Sequence, residues 1–328
     1  MRHPVPTRGS RDRGPRGVMP GRAKRAQRGA ALVTAVLVAA LAAVMVSGML
    51  WQQWGNISRE QTARDAAQAR WILRGALDWA RLILREQART SSVDALSQPW
   101  AVPLADSELA TFLGGGVATL DHAWLSGRID DAQSRFNLAN VVVGGTVSPT
   151  GLAVLQRLCA RVGVDPGVAE AIGGGIAASA NGSTLGMRSL QDLARISPSV
   201  ARALPALAPY VTLLPTPTTV NANTAGATVL AAVLDLPQDT AAGLVSARNI
   251  AYFKSRADVQ TALGAEGTHV DTRGIDVSSG YFEAYARVRL GGFAYAQRAL
   301  IQRIGLITVV LRVQQVPPWT PMIPHAAQ

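Results

Sequence analysis

One cysteine, Cys159, occurs in 328 residues, so an internal disulfide is excluded and the fold must rest on packing or on a bound ion. Cys159 sits in the apolar helical run LAVLQRLCARV and reads as a small core residue, not a nucleophile. Histidine is almost as scarce: His3, His122, His269 and His325 are far apart, and no CxxC, HExxH or His/Cys cluster exists. The sequence offers no Ser/His/Asp spacing and no acidic pair in apolar surroundings, so no catalytic residue is assigned and an envelope enzyme is disfavoured. The triple glycine Gly114–Gly116 lacks a following Lys-Ser/Thr, which excludes a phosphate loop. Acids are missing from one place in particular. Residues 1–29 carry nine Lys/Arg against the single Asp12, whereas the rest of the chain carries 23 basic and 20 acidic side chains. The formal charge of +11 therefore belongs to the N-terminus and does not mark the body as a nucleic-acid binder.

Apolar residues make up 48% of the chain, enough for a sizeable core. The run Ala30–Leu50 is 21 residues without a charge, and the next charged side chain is Arg59. That length spans a bilayer core as a helix. The positive stretch before it predicts a cytoplasmic N-terminus and an outward-facing remainder, with Trp51 and Trp54 at the headgroup layer. A secretory signal would have a shorter apolar core with a small-x-small cut at its far end, which Ser47–Met49 fits poorly. An uncut signal anchor is a second possibility. A third fits best, because KRAQRG/AALVTAVLV, with Gly29 before Ala30, resembles a type IV pilin-like leader. That resemblance implies cleavage between Gly29 and Ala30 by a prepilin peptidase. Pilins carry a glutamate at the fifth mature position; here that position is Thr34. Met19 opens an 11-residue leader, MPGRAKRAQRG, closer to the usual length, and is an alternative start.

Beyond the membrane run, Leu73, Leu77, Ala80 and Leu84 form one helical stripe, with Ile72, Ala76 and Ile83 beside it. A helix from Ala30 to about Arg89 is expected, with Arg70, Arg74, Arg81 and Arg85 on its wetter side. Thr90 to Gly116 reads as loop with a short helix near Asp106–Leu113. The segment AWLSGRIDDAQSRFNLANVVV reads as a strand (Trp124–Ile129), an acidic turn (Asp130, Asp131) and a second extended run. From Ser148 to Glu266 the pattern is helical. Expected pieces are 151–162, 168–178, 189–196, 199–207, 225–234, 238–247 and 255–263, with N-caps at Ser189, Ser199, Thr224 and Ser255. Three alternating runs, 280–290, 292–303 and 305–313, close the chain as an antiparallel sheet, with a Gly291-Gly292 hairpin between the first two. Residues 317–328 form a Pro-rich tail expected to be disordered.

Two phrases carry a specific resemblance. Asp131, Ser134, Arg135, Phe136, Asn137, Leu138 and Asn140 match the signature of K-type minor pseudopilins of type II secretion. Thr219, Val220, Asn221, Ala222, Asn223, Thr224 and Ala225 match a second phrase of that family, placed before a helix. Both are read as structural, since Asn and Asp in such turns bond their own backbone. The missing glutamate at Thr34 agrees with this subtype. The resemblance implies an α+β fold: a pilin-like long N-terminal helix packed on a small antiparallel sheet, with a large all-helical insertion. The implied segments are leader 1–29, transmembrane helix 30–50, head 51–147, helical insertion 148–266, C-terminal strands 267–316 and tail 317–328. It also implies a single-pass inner-membrane protein with a periplasmic head. That protein would start or cap a pseudopilus with I-type and J-type minor pseudopilins and other pseudopilins. The family's calcium-binding acidic loop looks lost. Ala171 to Gln191 holds no carboxylate, Asn181, Ser183 and Thr184 are neutral, and Asp192 stands alone, so no cofactor is expected. A minor pilin of a surface pilus is the nearest alternative. A helix-hairpin-helix DNA binder shares the Asn-Thr-Ala start, but its hairpin (236–240) lacks glycine and basic residues are sparse, Arg248 and Lys254 apart.

Overall fold

The structure is a computed structural model that describes residues 24–109, 123–290 and 292–318. It divides into two units, residues 1–64 and 65–328. Helix α1 (Lys24–Thr90) contains no proline and contributes to both. In the first unit its apolar side chains, Leu32 to Leu50, are all exposed. This is the one helix among the described residues long and apolar enough to cross a membrane. In lipid such exposure is favourable, because backbone polar groups are satisfied within the helix.

The second unit is built on a five-stranded antiparallel sheet in the order β1 (Leu104–Glu108), β2 (Trp124–Asp131), β9 (Tyr281–Leu290), β10 (Phe293–Ile304), β11 (Ile307–Val316). Successive side chains alternate between faces. On β9, Phe282, Ala284, Ala286, Val288 and Leu290 point at α1, where they meet the stripe Ala69, Leu73, Leu77, Ala80 and Leu84. Trp100 meets Phe282 edge to face at 5.4 Å. Burying side chains of this size stabilises by about 2–3 kcal/mol each. Gly127 on β2 is required by close approach, since a Cβ there would lie 2.7 Å from the Tyr285 carbonyl oxygen.

Everything from residue 132 to 280 is inserted between β2 and β9, which are hydrogen-bonded neighbours. The inserted lobe holds α2 (Pro149–Arg161), α3 (Gly167–Ala180), α4 (Pro198–Leu207), α5 (Ala227–Leu234), α6 (Gln238–Ile250) and α7 (Arg256–Ala262). These lie within the expected helical span and close over Leu155, Leu158, Cys159, Ile172, Leu207, Leu230 and Leu244. The lobe is not purely helical. Beside a two-strand hairpin, β4 (Val142–Val143) and β5 (Thr146–Val147), two parallel pairs cross it. They are β3 (Phe136–Asn137) with β6 (Val211–Thr212), and β7 (Val220–Asn221) with β8 (Ile275–Asp276).

Several local expectations are corrected. Of the helix expected near 106–113, residues 106–108 belong instead to the strand Leu104–Glu108, because pairing with β2 overrides local propensity; Leu109 is helical and 110–113 lie outside the described residues. Residues 110–122, including Gly114–Gly116, lie outside the described residues, as do Gly291 and the tail from 319. Asp130 and Asp131 are not a turn: β2 runs through both, and the turn is the 3₁₀ segment Ala132–Ser134. The 189–196 piece is a 3₁₀ helix, Leu190–Arg195, although Ser189 does form a capping box with Asp192. The cap of α4 is Ser197, not Ser199, because Pro198 occupies the first helical position. The cap of α5 is Gly226, because the Thr224 hydroxyl is engaged elsewhere.

Candidate functional site: the anchor and the polar knot

The anchor is plain chemistry. Gly29 and Ala30 lie inside α1, whose described part begins at Lys24, so the expected scissile bond sits in helical backbone. The Thr34 hydroxyl donates to the carbonyls of Ala30 (3.1 Å) and Ala31 (3.0 Å). Its polarity is therefore spent within its own helix and asks for no partner in the membrane.

The two sequence phrases, about 90 residues apart, converge in the head. Asp131, at the end of β2, is buried. Its Oδ1 accepts from the Gln133 N–H (2.7 Å), and its Oδ2 accepts from Asn221 Nδ2 (2.9 Å), Thr224 Oγ1 (2.6 Å) and Ser279 Oγ (2.6 Å). Asn221 also donates to the Asp94 carbonyl (3.0 Å) and accepts from the Asn223 N–H (2.9 Å). Asn223 clamps Phe253 by both ends of its amide, donating to the carbonyl and accepting from the N–H at 2.8 Å each. Arg303 of β10 closes the knot, donating to Asp94 Oδ2 at 2.5 Å and to the Ser279 carbonyl at 2.8 Å.

Arg303 thus neutralises Asp94, whereas Asp131 is held in the buried interior by neutral donors alone. Burial pushes the Asp131 carboxyl up to about 6; the Ser279 and Thr224 hydroxyls oppose this, and the nearby Asp94 adds to it. The rest of the first phrase binds the lobe. Asn137 donates to the Thr216 carbonyl (2.7 Å) and accepts from the Leu214 N–H (3.1 Å). Asn140 holds Thr218 by both its carbonyl (2.7 Å) and its N–H (2.9 Å). Phe136 is buried in the lobe core. Arg135 pairs with Glu283 of β9 at 2.8 Å. Burial alone would raise Glu283, but Arg135 and Arg298 outweigh it and hold its carboxyl below the ordinary range.

The local backbone bonds expected of Asp131, Asn137 and Asn221 are present, each side chain accepting from the N–H two residues on. Sequence reading missed that their other bonds reach across the head, and missed Asp94, Gln133, Ser279 and Arg303 altogether. No local pattern singles these out, since each completes its role only through a partner far along the chain. Arg248, weighed above as a phosphate contact, is buried and donates to the carbonyls of Ala222 and Ala225. Burial lowers its pKa to about 10. Among the described residues no cluster of three His, Cys, Asp or Glu side chains could hold a metal.

The family model for type II secretion system protein K matches residues 220–278, which contain Asn221, Asn223, Thr224 and Arg248. The type II secretion system protein K of Pseudomonas aeruginosa is 25% identical over 312 residues, covering 85% of this chain and 90% of that protein. The fold comparison is a chain of the crystal structure of the GspK-GspI-GspJ complex from enterotoxigenic Escherichia coli. It has a TM-score of 0.60 at 17% identity and covers 79% of this chain and 99% of that one. The chain is thus similar to protein K of type II secretion over most of its length, and it has the α+β pilin-like fold of that solved chain. Its knot is the joint between the pilin sheet and the inserted lobe.

Proposed function

We propose that this protein sits at the tip of a type II secretion pseudopilus, where it starts or caps the filament that drives folded proteins across the outer membrane. One observation carries the reading: a large lobe is inserted between hydrogen-bonded neighbours β2 and β9 of the sheet that packs on α1. A subunit added above would have to clear that lobe, whereas a terminal subunit has nothing above it. Thr34 supports the same placement. A carboxylate there would be costly in lipid without a partner, and the hydroxyl is already satisfied.

The partners are I-type and J-type minor pseudopilins, in keeping with the complex named for the Escherichia coli relative. A prepilin peptidase cuts between Gly29 and Ala30, and the new amino terminus is methylated. The anchor crosses the inner membrane once, with the head in the periplasm. The chain works by assembly and geometry, and the neutral loop around Asn181 leaves it without a strong calcium site.

Mass spectrometry of the membrane form tests this directly: the mature chain should begin at a methylated Ala30. Deletion should abolish secretion and spare twitching motility. A mature form that begins upstream of Ala30, or a head found inside the cell, would sink the reading.

A further inference from the structure

The two edges of the sheet differ. The β1 edge is short, is bulged between Leu104 and Ser107, and carries Asp106 and Glu108. Each of these features discourages pairing with another strand. The β11 edge, ITVVLRVQQV, is ten residues long, has one charge, Arg312, and is bulged once, at Leu311. Among the described residues nothing pairs with its outer side. Ile304, Leu306, Ile307, Val309, Leu311 and Val313 are all exposed along it.

The direction of its free backbone groups follows from the register. Arg303 N–H donates to Gly280 next to β9, so odd residues of β10 face β9 and even ones face β11. Leu300 lies opposite Arg312 and Arg298 opposite Gln314. The main-chain groups of Val313 and Gln315 therefore point outward. At the turn end the outward carbonyl of Thr308 is already capped by Arg81 at 3.1 Å.

Charge restricts what can pair there. Glu283, Leu300 and Arg312 form one cross-strand row on the sheet. Glu283 feels Arg135, Arg298 and Arg312 together, but its ion pair is with Arg135. Among the described residues neither Arg298 nor Arg312 has an ion pair of its own, and one nitrogen of the Arg312 guanidinium donates to the neutral Arg188 carbonyl. A fourth member of the row would stand beside Arg312 and complete it with a carboxylate. A second copy of β11 offers no acid.

We infer that the β11 edge takes up an extended, acid-bearing segment of a partner protein as a sixth strand, with an Asp or Glu seated beside Arg312. The inference rests on the pseudopilin reading, because it names the surface through which a tip partner would attach.

The test is photo-crosslinking of the full chain in its own host. A benzophenone amino acid would replace Val309, Gln315 or, as the control edge, Glu108. Adducts are expected from the two β11 positions and not from position 108. Their mapped peptide should alternate apolar residues and contain a carboxylate. V313P removes an outward N–H without breaking the β10 ladder and should abolish the adducts. Should V313P fail to fold, the mapped adducts still decide. The inference is overturned by adducts from position 108 alone, by none from β11, by adducts to a second copy or to residues 319–328, or by adducts that survive in folded V313P. Missing adducts with I- and J-type partners still co-purifying refute the edge alone. Loss of co-purification, together with secretion intact after deletion, refutes the pseudopilin reading.

Discussion

Asp131 concentrates the energetics of the head in one carboxylate. Its oxygens accept four hydrogen bonds from groups that have left water. Asp131→Ala would strand the Asn221, Thr224 and Ser279 donors, and is expected to cost about 3–5 kcal/mol in chemical denaturation. Its protonation follows from burial. The folded pKa of about 6 lies above the ordinary aspartate value of 3.8, so the folded head binds this proton more readily than the unfolded chain. The resulting stabilisation is complete below about pH 4 and is lost as the pH rises through 6, an effect of about 3 kcal/mol over the full span. Carboxyl-carbon NMR of Asp131 should show a midpoint near 6, and a midpoint in the ordinary aspartate range would contradict this account. Thr34 makes the opposite prediction. Since its hydroxyl bonds only within α1, Thr34→Val should insert and secrete normally. A secretion defect would mean that a neighbouring subunit uses that hydroxyl.

At the scale of elements, the seating of α2 depends on a missing side chain. A Cβ on Gly151 would lie 2.1 Å from the Asn140 carbonyl oxygen, whereas Gly174, in α3, faces open space. Gly151→Ala should lower stability by more than about 2 kcal/mol. Gly174→Ala should raise it by about 0.5–1 kcal/mol. Thermal melts of the two variants should move in opposite directions. The elements themselves were largely legible: α1, the closing strands β9–β11 and the helices of the lobe follow hydrophobic period. The errors fell where a partner overrides local preference. Leu104–Glu108 is extended because β2 pairs with it. Asp130 and Asp131 stay in strand because one pairs with Arg128 and the other enters the knot.

The whole protein joins a membrane-compatible helix to a head in which sheet and lobe are tied by polar bonds as well as by apolar packing. Excess calcium should leave the melting temperature of the head unchanged, because the loop that would bind it is neutral; a rise of several degrees would contradict this. Sequence alone determined the apolar run of α1, the uneven charge and the periodic elements, whereas the fold class and the motif residues came from a family resemblance. The first three depend on composition and local period, which a single strand of text contains. Tertiary structure decided what the motifs are for. Asp131 meets Asn221 and Ser279, and Asp94 meets Arg303, only after the chain between them has folded. A buried hydrogen bond between residues 90 or 200 positions apart has no local signature, because its energy comes from removing both partners from water together.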